Sequence, residues 1–239
     1  MPIKAVIFDL FDTLLMLEKH EAYYSPSLQR LCDYLDNNGV GVRFGDFERV
    51  YFEVRNRLYE ESSRNLEEPH FNVRVSQTLQ RLGHNFDVTD PVVKGATMAF
   101  ADEFMHHVSL DPDVMEVLSE LRGKYKLGLI SNFGIPECAR KLLEKFGLTG
   151  FFDVVIISGE INRRKPSPEI FRKALKILDV KASKSVFVGD MLDLDVIGPK
   201  NVGMKSILVK RRPIAKCANA EPDRQISSLV ELLTVLEDF

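Results

Sequence analysis

The sequence predicts an α/β protein: an open parallel sheet flanked by helices, with an all-helical segment inserted after the first strand. Three observations predict it. IKAVIF (3–8) is a β-branched apolar run that ends on Asp9, as a strand covered on both faces would read. From residue 109 onward, short apolar runs alternate with amphipathic helical patterns, the rhythm of parallel strands joined by right-handed crossovers. Between these regions, residues 17 to 108 carry helical periodicity alone. The expected organisation is therefore a core of 1–16 and 109–239, and a helical cap of 17–108.

Taken in order, the insertion opens with SLQRLCDYLDNNG (27–39), which spaces Leu28, Leu31, Cys32 and Leu35 for one helix face and stops at Gly39. A long pattern over 46–64 follows, then two more around 72–82 and 91–107. In the core, VMEVLSELR (114–122) reads as a helix with Asp111 and Asp113 as caps. KLGLIS (126–131) reads as a strand, and ECARKLLEKF (137–146) as a helix that ends before Gly147. FDVVIIS (152–158) is the next strand. SPEIFRKALKIL (167–178) has a Ser N-cap and Pro in its first turn. SVFVGD (185–190), a short helix between Val196 and Val202, and KSILVK (205–210) complete the alternation.

Composition narrows the function classes. The 239 residues are 45% hydrophobic and 28% charged, ordinary for a globular protein, with a formal net charge of −3. No block of basic residues suits a nucleic-acid backbone, and no apolar run reaches membrane-spanning length. The start carries an acid inside its apolar run and does not read as a signal peptide. Cys32, Cys138 and Cys217 are widely separated, so neither a disulfide framework nor a zinc knuckle is expected and a cytoplasmic location is. No GxGxxG follows the first strand and no GKS or GKT occurs, which excludes a dinucleotide fingerprint and a P-loop.

Ligands of open parallel sheets bind at the carboxyl ends of the strands. Those ends carry Asp9, Phe11, Asp12 and Thr13 after the first strand, Ser131 and Asn132 after the second, and Asp190, Asp193 and Asp195 after SVFVG. Lys165-Pro166 stands just before the SPEIF helix. Each residue alone could be a turn or surface group; together they place several acids and one lysine on one edge. Three carboxylates against a single ammonium repel one another, and a hard divalent cation such as Mg²⁺ resolves that conflict. A carboxylate facing a metal-bound phosphoryl group is a competent nucleophile.

These residues resemble the haloacid dehalogenase superfamily, with its four motifs: hydrophobic strand–DxDxT/V, strand–S/T, a lysine, and strand–GD(x₃–₄)D. FDLFDTL (8–14), LISN (129–132), RRKPSPEIF (163–171) and FVGDMLDLD (187–195) match them in order. The helical insertion resembles that family's type-one cap on a Rossmann-like core. The resemblance implies Asp9 as nucleophile and metal ligand, the Phe11 backbone carbonyl and Asp190 as further ligands, and Asp195 in the outer shell. It also implies phosphoryl or substrate contacts from Ser131 and Lys165, with Asn132 and Thr13 beside them.

One position departs from the family's phosphatases. Phe11 occupies the place of their general acid, and a lost proton-transfer group costs roughly 10² to 10⁴ in rate. Asp12 is the candidate replacement. An aromatic there also resembles the 2-haloacid dehalogenases, which use no metal, whereas Asp190 suits a metal site and favours a phosphatase. Three readings follow: a Mg²⁺-dependent phosphatase of a small phosphorylated metabolite, a dehalogenase of a small 2-haloacid, and a non-catalytic relative. In each, a monomer or homodimer is expected, without nucleic-acid or membrane partners. Tyr23, Tyr24, His20, Arg43 and Phe44 are substrate-selecting candidates by position. His106-His107 read as surface or cap-hinge residues. Arg163-Arg164 and 210–212 read as solvated faces or contacts for an anionic substrate.

Overall fold

The computed structural model describes residues 2–211 and 221–239. Its elements run β1 (Ala5–Phe8), β2 (Leu15–Leu17), α1 (His20–Asn37), α2 (Phe44–Asn65), α3 (Asn72–Arg81), α4 (Pro91–Phe104) and β3 (Val108–Leu110). They continue with α5 (Val114–Leu121), β4 (Lys126–Ser131), α6 (Pro136–Lys145), β5 (Val154–Ile157), α7 (Ser158–Ile161) and α8 (Pro168–Leu178). The chain closes with β6 (Ser185–Gly189), α9 (Gly198–Lys200), β7 (Lys205–Val209), β8 (Arg224–Ile226) and α10 (Glu231–Val235).

Six strands form one parallel sheet in the order β5-β4-β1-β6-β7-β8. Alternation along β1 sends Val6 and Phe8 into the large core shared with the inserted helices. Ala5 and Ile7 enter a second core beneath α8 with Phe171 and Phe187. Ser167 caps α8 as the sequence predicts, accepting from the Glu169 N–H at 3.3 Å, with Pro168 in the first turn. The alternating α/β architecture expected from the sequence is the one observed.

Several details differ from the expectation. β2 and β3 form an antiparallel ribbon, Leu15 opposite Leu110 and Leu17 opposite Val108, at the two ends of the inserted helices. Three-residue strands are too short to show a period, so nothing in the sequence marks them. α1 starts at His20 rather than Ser27 and runs through Pro26; Ser27 Oγ donates to the Tyr23 carbonyl at 2.7 Å beside that interruption. Asp113 makes no side-chain cap on α5. Instead Asp111 accepts from the Asp113 N–H at 3.0 Å and pairs with Arg211 at 2.5 Å. Arg211 is thus not on a solvated face, while Arg212 and Cys217 lie outside the described residues. Cys32 and Cys138 are buried thiols, both pushed up to about 12, chiefly by burial. β8 is an edge strand whose polar RQI sequence hides it; the Asp223 carboxylate fastens it by accepting from the Ser206 N–H at 3.0 Å.

The four helices between β2 and β3 fold over the carboxyl edge of the sheet. Among them α1 packs against α4, where the Tyr34 ring occupies the space a Cβ on Gly95 would need. The segment after α2 ties down onto the core. The Arg164 N–H donates to the Leu66 carbonyl at 3.0 Å, the Phe71 N–H to the Gly134 carbonyl at 2.8 Å, and Arg163 pairs with Glu67 at 3.3 Å. His107, expected as a surface or cap-hinge residue, stands at the other end of the insertion and pairs with Glu18 at 2.7 Å beside the ribbon. Among the described residues, no helix is long and apolar enough to cross a membrane.

Candidate active site

β1 lies between β4 and β6, and the strand order runs outward from it in both directions. The crevice at its carboxyl end is therefore where a ligand is expected. Asp9 is the first residue past β1. Its N–H donates to the Val188 carbonyl at 2.9 Å, which extends the strand pairing by one residue and fixes its direction. Thr13 Oγ1 donates to Asp9 Oδ2 at 3.2 Å, so this fully buried threonine orients Asp9 from within the protein. Lys165 Nζ reaches the other oxygen, Oδ1, at 2.5 Å and also lies 2.7 Å from Asp195 Oδ1.

Lys165 is only 1% exposed, and an ammonium so buried requires its two carboxylates. Burial acts to lower its pKa, but Asp195 and then Asp9 hold it above the usual lysine value. Its backbone is held by Asn132, whose Oδ1 accepts from the Lys165 N–H at 2.7 Å and whose Nδ2 donates to the Lys165 carbonyl at 2.9 Å. Asn132 thus places the lysine as well as lining the cavity. The Phe187 ring lies beneath, 5.0 Å from Nζ.

The fourth motif folds from β6 directly into a π-helical turn, Leu192–Ile197, which swings Asp195 back against the strand end. Gly189 is the residue that allows this, because a Cβ there would collide with the Asp195 carboxylate. Both Asp195 oxygens are engaged: Oδ1 with Lys165, and Oδ2 accepting from the Met191 N–H at 3.0 Å. Burial, opposed by Lys165 and reinforced by Asp9, lifts Asp195 above the ordinary carboxylate value. Asp190 is pushed up to about 8, first by burial and then by the charges of Asp9 and Asp195. Asp9, Asp190 and Asp195 each offer an oxygen within 4.8 Å of the others. That set of hard oxygen donors fits a divalent cation.

The rest of the strand-end set converges on the same place. A cavity of about 120 Å³ is lined by Asp9, Phe11, Asp12, Ser131, Asn132, Lys165, Asp190 and Asp195. Ser131 is 1% exposed and its Oγ has no hydrogen-bond partner among the described residues, so a donor stands ready for an incoming oxygen. Asp12 has a left-handed backbone, φ 56°, and its Oδ1 accepts from the Leu17 N–H at 3.2 Å at the entry to β2. Asp193 does not line this cavity.

Phe11 and Asn132 also line a second cavity of about 230 Å³ beneath the inserted helices. The Phe11 ring packs on Phe133 at 4.9 Å and on Phe104 at 5.8 Å. Of the substrate-selecting candidates, Tyr23 and Tyr24 line this space, and His20 stacks on Tyr24 at 4.4 Å. Arg43 and Phe44 do not line it; Arg43 is exposed and paired with Asp46 at 2.7 Å. Sequence reasoning missed Tyr59, Glu68 and Arg74. Of its two expectations for Arg164, a solvated face or a contact for an anionic substrate, the first does not hold: Arg164 lines the cavity and pairs with Glu68 at 3.4 Å.

A sequence model of haloacid dehalogenase-like hydrolases matches residues 3–203, spanning the inserted helices and the strands β1, β4, β5 and β6 of the sheet. The chain belongs to this family. The hydrolase is 30% identical to the glyceraldehyde 3-phosphate phosphatase of Methanopyrus kandleri, over 99% of this chain and 98% of that one. It also resembles the crystal structure of a 2-haloacid dehalogenase from Pseudomonas syringae pv. tomato, with a TM-score of 0.75, 26% identity and 99% of each chain covered. The structure of a haloacid dehalogenase-family phosphatase from Thermococcus onnurineus gives a TM-score of 0.69, 27% identity and 98% coverage of each chain. Both chemistries considered for this hydrolase thus occur on its fold.

Proposed function

We propose that this hydrolase is a Mg²⁺-dependent phosphatase of a small phosphorylated metabolite, with Asp9 as its nucleophile. The observation that carries the reading is the charge balance at the strand ends: Asp9, Asp190 and Asp195 stand against one ammonium, Lys165. A metal-free dehalogenase would have to bring a haloacid carboxylate to Asp9 past that acidic cluster, whereas a divalent cation held by the cluster would supply the positive charge that a phosphoryl group needs. The phosphatase relative, aligned over almost the whole chain, supports the same choice.

Asp9, Asp190 and the Phe11 carbonyl would hold the ion. Asp195, with both oxygens engaged inside the protein, would act from the outer shell. When bound, Mg²⁺ supplies charge neutralisation at the phosphoryl oxygens. Asp9, aimed by Thr13 and Lys165, attacks phosphorus. The bond from phosphorus to the alcohol oxygen breaks and an aspartyl-phosphate forms on Asp9. Water then attacks that phosphorus, freeing phosphate and regenerating Asp9. The Ser131 hydroxyl and the Lys165 ammonium donate to the phosphoryl oxygens during both steps. Asp12, the remaining carboxylate in the cavity lining, is the proposed acid and base. The helices over the site act as the cap, screening it from bulk water.

The test is phosphate release from a panel of small phosphoesters, with Mg²⁺ and with excess chelator, beside halide release from 2-chloropropionate. Phosphate release that requires metal is expected. Halide release in chelator, with no phosphate release in Mg²⁺, would establish the dehalogenase instead.

A further inference from the structure

The cavity beneath the inserted helices has an unusual make-up for an apolar pocket. Aromatic rings form most of its wall, among them Phe11, Tyr23, Phe71, Phe100 and Phe104. Within that wall stand two guanidiniums, Arg74 and Arg164, and a single carboxylate, Glu68. Glu68 is 4% exposed and is shared, 3.4 Å from Arg164 and 3.9 Å from Arg74. A third cation adjoins them: Arg55 lies 5.0 Å from the centre of the Tyr59 ring, and its buried Nε has no hydrogen-bond partner among the described residues. Arg74 and Arg164 approach the same ring at 4.9 and 6.0 Å. Positive charge therefore exceeds negative in a largely desolvated space, and buried charge of one sign calls for a counter-charge.

This cavity shares Phe11 and Asn132 with the smaller one around Asp9. An ester whose phosphoryl group sits over Asp9 would therefore extend its alcohol portion past Phe11. We propose, resting on the phosphatase reading, that this pocket takes an alcohol portion bearing a carboxylate, which Arg74 and Arg164 receive: the substrate is a phosphorylated hydroxy acid. Planar guanidiniums match a carboxylate in charge and in geometry. The aromatic wall suits a short carbon frame between the two anionic ends. Glu68 then spaces the arginines and competes with the ligand for them, which keeps the empty pocket stable.

The experiment compares kcat/KM in Mg²⁺ for three esters on one frame: propyl phosphate, 3-(phosphonooxy)propanoate and propane-1,3-diyl bisphosphate. p-Nitrophenyl phosphate serves as the check on phosphatase chemistry. The propanoate ester should exceed propyl phosphate by at least about tenfold, the value of one charge-assisted contact. Arg74→Gln and Arg164→Gln should each pull that ratio toward one, and Arg164→Lys should keep part of it. Glu68→Gln should raise the ratio, because the competing carboxylate is gone. A purely structural triad would lower both esters alike and leave the ratio untouched in every variant, which overturns the proposal. The wild-type ratio carries the test should an arginine variant fail to fold. Turnover of p-nitrophenyl phosphate with a wild-type ratio near one overturns the acid pocket alone. No phosphate from any ester overturns the phosphatase reading and this proposal with it. Preference for the bisphosphate over the propanoate overturns the carboxylate assignment.

Discussion

Lys165→Met isolates the charge on which the site is built. Methionine keeps most of the side-chain length and volume, so the variant removes the ammonium and opens little cavity. In the structure that ammonium lies 2.5 Å from Asp9 and 2.7 Å from Asp195, attractions of about 7 and about 6 kcal/mol at an effective dielectric near 20. Desolvating three buried ions offsets most of this, so the triad's net worth is small. Removing one member is different, because two carboxylates then stay buried uncompensated, at a cost of about 3–5 kcal/mol. That is a large share of a typical domain's stability of about 5–15 kcal/mol. Urea unfolding at pH 7 in chelator should show a loss of that size, and Asp195→Asn on the Lys165→Met background should recover part of it. The pH dependence has a definite sign. The folded pKa of Lys165 lies above the ordinary 10.5, so its contribution is complete below 10.5 and is lost only as pH rises through the folded value. The gap between wild type and variant should therefore persist through neutral and mildly alkaline pH. A loss below about 1 kcal/mol, or no recovery in the double variant, would refute the idea that this lysine compensates the carboxylates.

Gly189→Ala should push Asp195 off the strand end and cut turnover by about 10²-fold, the effect of roughly 1 Å of misplacement, while circular dichroism stays native. Asp190→Asn should weaken Mg²⁺ binding at least about tenfold by calorimetry, since it removes one of the three clustered carboxylates. Burial would raise Asp223, but the Ser206 N–H, Lys205 and Lys200 hold its pKa below the ordinary value; its contribution is present above that value and lost as pH falls through the folded one. Asp223→Asn should accordingly lower Tm at neutral pH, with a deficit that closes toward acid pH. With Phe11 unable to carry a proton, p-nitrophenyl phosphate should turn over faster than alkyl esters, and Asp12→Asn should widen that gap in paired steady-state assays if Asp12 is the acid.

The parts of the site that were legible in the sequence are those encoded locally. Asp9 follows an apolar strand, Asp190 and Asp195 follow another, and parallel topology sends both ends to one edge. Asp195 also needs the turn after β6, which Gly189 allows. Lys165 was legible through its motif, though its reciprocal pairing with Asn132 was not, because that contact joins residues 33 positions apart. Tyr23 and Tyr24 of the cavity beneath the inserted helices were legible by position, but its grouping of Arg74, Glu68 and Arg164 was not, for the same reason. Arg74 comes from α3, Glu68 from the segment after α2, and Arg164 from the approach to α8, and only the folded chain makes them neighbours. In the fold, five of the six strands of the sheet were readable from periodicity, whereas the β2–β3 ribbon was too short and β8 too polar to carry any.

Phe11, with Asn132, stands where the two cavities of the site meet. Its backbone belongs to the turn that follows Asp9, while its ring belongs to the aromatic wall with Phe104 and Phe133. An aspartate at this position would put another buried carboxylate beside the three already clustered, and against phenyl rings that cannot solvate it. The aromatic avoids that cost and helps line the cavity beneath the inserted helices; in the proposed reaction it would leave proton transfer to another group. Asp12 is near enough to line the cavity, yet it is also committed to the Leu17 N–H at the start of the ribbon. The same side chain would then set the turn that leads into the helical insertion and serve the chemistry beneath it. Entry to the cap and proton delivery would be coupled through one residue, in a way that a phosphatase with its acid at position 11 has no need of.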